Sequence, residues 1–403
     1  MKKWAIIILA TLFFYPILSY GVVLSPVLPM ARDQNEIAEF PIPAKTMKKV
    51  RFWEKVFSRY PSTSSIIHDE DDPSLILDVV DFNLIAKKKR KNVPSYKDRE
   101  KYTLQYLKRY ELAGTRFHKL KLGALRYGAI EQRMYHIYRR SNLSLENLLH
   151  GRIKLKSKLG LAEQFLVAAK RAQNYIPYME EIFRELGLPA KITRLPFVES
   201  MFTQGALSKA GAAGIWQIMP ETGKKFLSIN EWVDERYSPL KATRAAAMVL
   251  KENYAELGSW ALAITAYNHG KNGMLNAMRR LKTRDFDEIS TNYESPSFQY
   301  ASKNFYPAFL AAASVYKRLI DEKIVEKKEK MLKIRPVLVG DKSLQQILQF
   351  FPSQQNIIED FNPCLKKRTL RSYQSIKLPP SYKLFLPLTL ADQLEKKLSY
   401  ARK

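Results

Sequence analysis

The segment LPFVESMF, residues 195–202, places a single carboxylate, Glu199, among apolar side chains. An unpaired charge in apolar surroundings is costly, so a carboxylic acid in such a place has a raised pKa and keeps its proton. A carboxylic acid that is protonated near neutral pH can act as a general acid. The segment therefore indicates acid–base chemistry at Glu199. For this residue taken alone, a structural carboxylate at a helix end is the alternative.

Two later segments supply neutral hydrogen-bonding groups. SKAGAAGIWQIMPET contains Gly214 and Gln217, and AYNHG contains Tyr267 and Asn268. Glutamine, tyrosine and asparagine are expected in a sugar-binding cleft, and glycine allows the close approach of a chain-like ligand. Each segment alone also fits a tight helix connection, a helix C-cap or ordinary core packing. The three segments together, in this order, favour a glycan-binding site.

The sequence offers little for metal or disulfide chemistry. Cys364 is the only cysteine, so no intrachain disulfide can form. The five histidines are scattered along the chain without metal-ligand spacing. We therefore expect no metal site and no cofactor.

Helices are expected to position these groups. From about residue 111 to 325, apolar residues recur at three- and four-residue steps, as they do in amphipathic helices. One helix should end at Gly187, which suits a left-handed C-terminal cap, before Pro189. WALAITAY, residues 260–267, is apolar on all sides, as a central buried helix should be. The predicted fold class is mainly α.

The N-terminus has the layout of a secretory signal peptide. Lys2 and Lys3 precede an apolar run, and small residues follow that run. The run is short for a membrane span, which needs about 20 apolar residues. Residues 1–21 are therefore predicted to be a signal peptide, with an uncleaved anchor as the alternative. The chain is then expected to be exported to the periplasm or cell envelope, or secreted.

The charge predicts an anionic partner. The chain has 67 Lys and Arg against 39 Asp and Glu, a formal net charge of +28. Such an excess favours nucleic acid, an acidic membrane surface or an anionic polymer. The densest basic run, residues 87–101, resembles a nucleic-acid tract. In an exported chain it is better explained as a solvated linker that contacts anionic envelope polymer. We predict no nucleic-acid partner.

The resulting domain plan has two parts ahead of the main helical domain. Residues 22–110 are a basic, partly flexible segment to which the sequence assigns no fold. Residues 111–172 are predicted to form a helical extension.

The chain resembles a known family in four ordered segments: LPAKITRLPFVESMF, ALSKAGAAGIWQIMPETGKKF, WVDERYSPLKATRAAAMVL and WALAITAYNHG. The family is the lytic transglycosylases of the lysozyme-like superfamily, especially the membrane-bound murein transglycosylase D type. The resemblance spans residues 174–318 and implies a lysozyme-like helical domain over residues 173–325. It also implies cleavage of the bond between N-acetylmuramic acid and N-acetylglucosamine. Peptidoglycan glycan strands are therefore the expected partner.

The resemblance also implies roles for individual residues. The family's catalytic glutamate falls on Glu199. The residues expected to bind substrate are Ser200, Ser208, Gly214, Gln217, Tyr267, Asn268 and Tyr306. The family often has a tyrosine where this chain has Phe305. Either Tyr306 replaces that hydroxyl through a local shift, or the hydroxyl is missing.

Residues 335–390 have a different texture from the helical domain. Their pattern predicts a strand, a helix, an Asn-Pro turn and a final strand, which would form a small α/β module. The module loosely resembles a LysM peptidoglycan-binding repeat in VGDKSLQQILQFF, DFNP and YKLFLP. A small structural appendage fits the same pattern.

The presence of one candidate carboxylate limits the mechanism. Retaining and inverting glycosidases normally use two carboxylates. Here Glu199 would act first as acid and then as base, while the C6 hydroxyl of the same muramic acid closes a 1,6-anhydro ring. One alternative is a hydrolytic muramidase with Glu221 or Asp234 as second carboxylate. The others are a non-catalytic peptidoglycan-binding scaffold and a nucleic-acid binder, the last supported by charge alone.

Overall fold

The structure is a computed structural model. It describes residues 39–400 except 91, 121–127, 141, 232, 327–333, 341, 353–354, 366–377 and 379–381. The predicted signal peptide lies outside the described residues. The chain divides into two compact units. Among the described residues, the first unit comprises 168–251 and 325–400, and the second comprises 39–167 and 252–324.

The described residues are mainly α-helical, as predicted. The helices are α1 (Ala44–Ser58), α2 (Phe82–Lys89), α3 (Tyr96–Leu120), α4 (Ala129–Tyr138), α5 (Asn142–Leu149), α6 (Ala162–Ala172), α7 (Ile176–Glu185), α8 (Pro196–Glu199), α9 (Pro220–Gly223), α10 (Pro239–Leu257), α11 (Trp260–His269), α12 (Lys271–Leu281), α13 (Phe286–Asn292), α14 (Tyr300–Asp321), α15 (Leu344–Leu348), α16 (Gln355–Phe361) and α17 (Leu388–Tyr400). Short 3-10 helices span Ala190–Arg194 and Glu235–Tyr237. The strands are β1 (Ser64–Asp69), β2 (Ile76–Asp81), β3 (Leu155–Leu159), β4 (Ile334–Leu338) and β5 (Lys383–Pro387).

The second unit contains a three-stranded antiparallel sheet that the sequence did not predict. The strand order is β2-β1-β3, and Ile66 of β1 pairs with Val79 on one side and Lys158 on the other. Every residue of β1 is buried. A strand with both faces buried does not need to alternate polar and apolar residues, and the sequence SSIIHD does not show that alternation. Tyr110 and Met134, from α3 and α4, belong to the hydrophobic cluster beside this sheet.

The predicted linker, residues 87–101, is largely helical. The end of α2 and the start of α3 occupy most of it. Asp81 caps α2 by accepting hydrogen bonds from the backbone N–H groups of Asn83 and Leu84. Lys87, Lys88, Lys97 and Lys101 of this run therefore lie on helices and not on an extended linker.

The first described helix of the second unit, α1, packs against its last helix, α14. Trp53 Nε1 donates to Asn304 Oδ1 at 3.1 Å, and Ser314 Oγ donates to Glu54 Oε1 at 2.6 Å. These bonds are buried or partly buried and join residues more than two hundred positions apart. The structure thus assigns α1 to the same unit as the second half of the predicted 173–325 domain.

In the first unit, α7 and α10 pack around Trp216. The Trp216 ring is fully buried and stacks on Phe183 with centroids 5.9 Å apart. Its Nε1 donates to Thr243 Oγ1 at 2.8 Å. α7 ends at Glu185, and Gly187 has φ +69°, which is the left-handed cap predicted from the sequence.

The C-terminal part of the first unit forms a small βααβ arrangement followed by α17. β4 and β5 are antiparallel, with Pro336 opposite Phe385. The described core of this module includes Leu344, Ile347, Leu384, Leu386, Leu390 and Leu394. The prediction of a strand-bounded module agrees with this arrangement. It did not include α17, whose buried Leu390, Leu394 and Leu398 recur at helical spacing. The LysM resemblance stays a prediction.

Among the described residues, no helix combines the length and apolar character that crossing a membrane requires. The same residues contain no group of three or more histidine, cysteine, aspartate or glutamate side chains suited to hold a metal ion.

Candidate active site

Glu199 ends the single-turn helix α8 in the first unit. Pro196 begins this helix, where its fixed φ suits the first turn and its missing N–H is not needed. Glu199 is 7% exposed, and its burial raises the pKa of its carboxyl group to about 8. The carboxyl group is therefore protonated at neutral pH, which is the state that a general acid requires.

The backbone directly after Glu199 is strained. Met201 and Phe202 have φ of 51° and 54°, in the left-handed region that bulky side chains rarely adopt. Phe202 N donates to Pro196 O at 3.2 Å, and Arg171 Nη2 donates to Met201 O at 2.8 Å. Strained backbone of this kind concentrates at functional sites and persists only where its surroundings hold it. Arg171, which the sequence did not single out, is one of the groups that hold it.

Residues 208–218, here called the glycine loop, lie next to the Glu199 segment. Ser200 Oγ donates to Ile215 O at 2.8 Å, which ties the two segments together. Within the loop, Ser208 Oγ accepts from Ala212 N at 2.9 Å, and Ser208 N donates to Ala212 O at 2.8 Å. The structure thus gives Ser200 and Ser208 roles in shaping the loop.

Gly214 is the residue on which the loop turns. It has φ +75°, and its N–H donates to Ala206 O at 2.9 Å. A Cβ at this position would overlap the backbone carbonyl oxygen of Arg236. Only glycine fits there, because both the backbone angle and the close approach exclude a side chain.

Gln217 lies at the end of the loop with φ 48°. Its Nε2 donates to Gly214 O at 2.9 Å and to Ala206 O at 3.4 Å. These bonds hold the side-chain amide against the loop backbone. The first unit therefore brings together five of the predicted residues: Glu199, Ser200, Ser208, Gly214 and Gln217.

Tyr267 and Asn268 belong to the second unit, where they lie in the last turn of the buried helix α11. The predicted central helix is observed, with residues 260–266 buried. Asn268 Oδ1 accepts from Ser302 Oγ of α14 at 2.8 Å. Gly270 follows with φ +93° and breaks the helix. Their part in substrate binding stays a prediction.

Tyr306 is fully buried in α14 of the second unit. Its hydroxyl donates to the backbone carbonyl oxygen of Pro41 at 2.9 Å, and burial raises the pKa of this hydroxyl. Phe305, at the family's usual tyrosine position, is 5% exposed. The Tyr306 hydroxyl is thus bonded within the fold and is not expected to replace the family's tyrosine hydroxyl at the substrate.

Asp234, a candidate second carboxylate, is engaged in an ion pair. Arg236 Nε donates to Asp234 Oδ1 at 2.9 Å and Arg236 Nη2 donates to Oδ2 at 2.8 Å, and both side chains are buried. Such two-point pairing holds the carboxylate in one place. Glu221, the other candidate, lies exposed in the first turn of α9. Asp234 and Arg236 are both part of the segment DER in the sequence. The sequence alone does not indicate that their side chains form an ion pair.

Comparison with known proteins gives a family match that includes the Glu199 segment and the glycine loop. Residues 184–290 match the family model described as Transglycosylase SLT domain. This part of the chain is therefore similar to a transglycosylase SLT domain, which agrees with the predicted resemblance to lytic transglycosylases of the murein transglycosylase D type.

Individual relatives cover limited parts of the chain. Membrane-bound lytic murein transglycosylase D of Escherichia coli (strain K12) is 33% identical over 149 residues, which are 36% of this chain and 32% of the relative. A putative tributyltin chloride resistance protein of Alteromonas sp. (strain M-1) is 30% identical over 140 residues, 34% of this chain and 64% of the relative. The match spans about a third of the length of the E. coli protein.

Proposed function

We propose that the chain is a peptidoglycan lytic transglycosylase. It cleaves the β-1,4 bond between N-acetylmuramic acid and N-acetylglucosamine and leaves a 1,6-anhydro end on the muramic acid. The observation that carries this proposal is the buried Glu199, whose pKa is raised to about 8 and which lies beside the glycine loop in a transglycosylase SLT domain.

Glu199 serves twice in the reaction. Its carboxyl proton passes to the bridging oxygen as the bond from that oxygen to C1 of muramic acid breaks. The resulting carboxylate takes the proton of the C6 hydroxyl, whose oxygen forms the new bond to C1. This step returns Glu199 to its protonated state. Because the C6 hydroxyl is tethered to the reacting ring, an effective-molarity advantage replaces an activated water.

Three of the other predicted residues, Gln217, Tyr267 and Asn268, are proposed to bind the sugar. The 2-acetamido oxygen of muramic acid stabilises the positive charge that develops at C1. Gln217, held by two hydrogen bonds to backbone carbonyls, orients the ring and this group. A substrate-binding role for Tyr267 and Asn268 is proposed from the family resemblance alone. Gly214 keeps the backbone open beside the chain-like substrate.

The pairing of Asp234 with Arg236 supports one catalytic carboxylate. A general base that activates water must present a free carboxylate oxygen to it, and both Asp234 oxygens accept from Arg236. This favours ring closure over the hydrolytic muramidase.

The test is the mass of the digestion products. Purified peptidoglycan is digested and the muropeptides are analysed by mass spectrometry. Anhydro-muramic ends are each lighter than a reducing end by one water, and their dominance is the expected result. Dominant reducing ends would establish the muramidase, and an absence of new ends would establish the non-catalytic scaffold.

We further propose export to the cell envelope, where peptidoglycan is the substrate and anionic polymer or membrane surface is the electrostatic partner. The support is the N-terminal pattern of residues 1–21 and the net charge of +28. The module at 335–390 is proposed as a peptidoglycan contact, with a structural appendage as the alternative outcome.

A further inference from the structure

A loop in the first unit lies between the glycine loop and the C-terminal module. The described residues of this loop, 228–231 and 233–236, are here called the junction loop, and they fold back on themselves. Glu235 N donates to Ser228 O at 3.0 Å, and Ser228 N donates to Glu235 Oε2 at 2.7 Å. Ile229 and Asp234 form an antiparallel bridge. These bonds make the described part of the junction loop a compact hairpin.

One side of the junction loop packs into the hydrophobic core of the C-terminal module. Val233 is fully buried and belongs to the module's own hydrophobic cluster. It forms an antiparallel bridge with Leu365, and the neighbouring Asp234 N donates to Cys364 O at 2.9 Å. The module core is therefore incomplete without a residue that lies inside the SLT match at 184–290.

A charged contact reinforces this attachment. Lys241 Nζ lies 2.6 Å from Glu235 Oε1 and 4.0 Å from the centroid of the Tyr382 ring. Both members of the ion pair are largely buried, where a cation over an aromatic face is attracted more strongly than in water. The junction loop is thus attached to the module by the buried Val233 side chain, by backbone bonds and by Lys241 of α10, which contacts both Glu235 and Tyr382.

The inner side of the junction loop holds the glycine loop. The Asp234 carboxylate fixes the guanidinium of Arg236, as described above. Arg236 Nη1 then donates to Gly211 O at 2.6 Å and to Ile218 O at 3.1 Å, at both ends of the glycine loop. The Arg236 carbonyl oxygen also occupies the space beside Gly214. Three points of the glycine loop are therefore set by one residue.

We propose that Arg236 is a positioning residue for the catalytic site and that the C-terminal module acts as its brace. Displacing Val233 moves Asp234, Asp234 releases the Arg236 guanidinium, and the glycine loop that carries Gln217 loses its supports. The inference that this affects catalysis rests on the proposed transglycosylase function. The brace itself is a property of the fold.

The test compares two identical substitutions in the same hydrophobic cluster. Val233→Ala removes the junction contact, while Val337→Ala removes an equally buried valine on β4, away from the junction loop. Both leave similar cavities in the module core. Hydrogen exchange of the amides of residues 208–218 is measured without substrate, and turnover of a short soluble glycan is measured in parallel.

We expect faster exchange at the glycine loop in Val233→Ala but not in Val337→Ala. We also expect kcat to fall roughly tenfold in Val233→Ala with KM nearly unchanged, because a small displacement of positioning groups slows chemistry strongly. Arg236→Lys, which keeps the charge but loses the two-point pairing, should show the same pattern.

Equal exchange of residues 208–218 in Val233→Ala and Val337→Ala would overturn the brace. A wild-type chain that cleaved no glycan would refute the proposed function. Because hydrogen exchange is measured without turnover, the comparison of the two variants would still test whether the module braces the glycine loop.

Discussion

The backbone carbonyl oxygen of Arg236 fills the space into which a Cβ of residue 214 would project. Gly214 in turn has φ +75°, and its neighbours form the loop beside Glu199. Two parts of the chain separated by more than twenty residues thus meet at a point that only glycine allows.

Gly214→Ala is therefore expected to disrupt the site. The added methyl group meets backbone, which cannot rotate away, so the loop must shift and turnover should fall by about tenfold or more. The control is Gly205→Ala, because a Cβ at residue 205 meets no atom within 4 Å. Turnover and thermal melting are measured for both variants. Near-normal turnover in Gly214→Ala would contradict the importance of this approach.

Glu199→Gln should abolish cleavage while leaving the fold and substrate binding. Glutamine has almost the same shape as glutamic acid but cannot deliver a proton, and loss of such a group costs roughly 10²–10⁴-fold or more. Glu221→Gln, on an exposed carboxylate in the same unit, should retain activity. The assignment fails if the two variants lose turnover equally.

The pH profile of cleavage should fall as pH rises through about 8. Glu199 must be protonated to act, and its pKa is raised to about 8 by burial. The descending limb of kcat/KM against pH, measured on a soluble glycan, reports this group in the free enzyme. A descending limb near pH 5 would show that the carboxyl group titrates as an ordinary exposed glutamate.

The same pKa shift predicts a stability change. Glu199 has a folded-state pKa above its value of 4.5 in the unfolded chain, so the folded state binds the extra proton. Stability from this group is full below about 4.5 and is lost as pH rises towards 8. Glu199→Gln carries no such penalty. Its melting temperature relative to wild type should therefore increase between these two pH values, and a constant difference would argue against the shift.

The basic run should contribute to retention on peptidoglycan and not to chemistry. Lys87, Lys88 and Arg90 are exposed at the end of α2, outside the residues proposed to act in catalysis. Exposed charges act over about 8 Å at physiological salt, so their attraction should weaken as salt rises. Neutralising these three should reduce pull-down by insoluble peptidoglycan at low salt.

The matched control neutralises three exposed cations elsewhere in the second unit, Arg279, Lys282 and Lys323. Turnover of a short soluble glycan should change little in either triple variant. Equal losses of binding and of soluble-substrate turnover in the first variant would place the run in the active site.

Local signals in the sequence predicted some features of the fold and site well. The apolar neighbours of Glu199 correctly indicated its burial, and Gly187 correctly indicated a helix end because it follows an amphipathic run. The sequence did not predict the pairing of β1 with β3, since the two strands lie about ninety residues apart and β1 has both faces buried. The hydrogen bonds from Arg236 to the carbonyl oxygens of Gly211 and Ile218 also join residues that are distant in the sequence. A local sequence pattern does not predict such contacts.

The packing of α1 against α14 has a consequence for the order of events during biosynthesis. Residues 44–58 are made early, yet their partners include Asp287, Asn304 and Ser314. The second unit therefore cannot complete its core until about residue 321 has left the ribosome. Until then Trp53 of α1 lacks Asn304, its native hydrogen-bond partner on α14. Contacts of such large sequence separation form slowly, so the native packing of α1 is expected late in the synthesis of the chain.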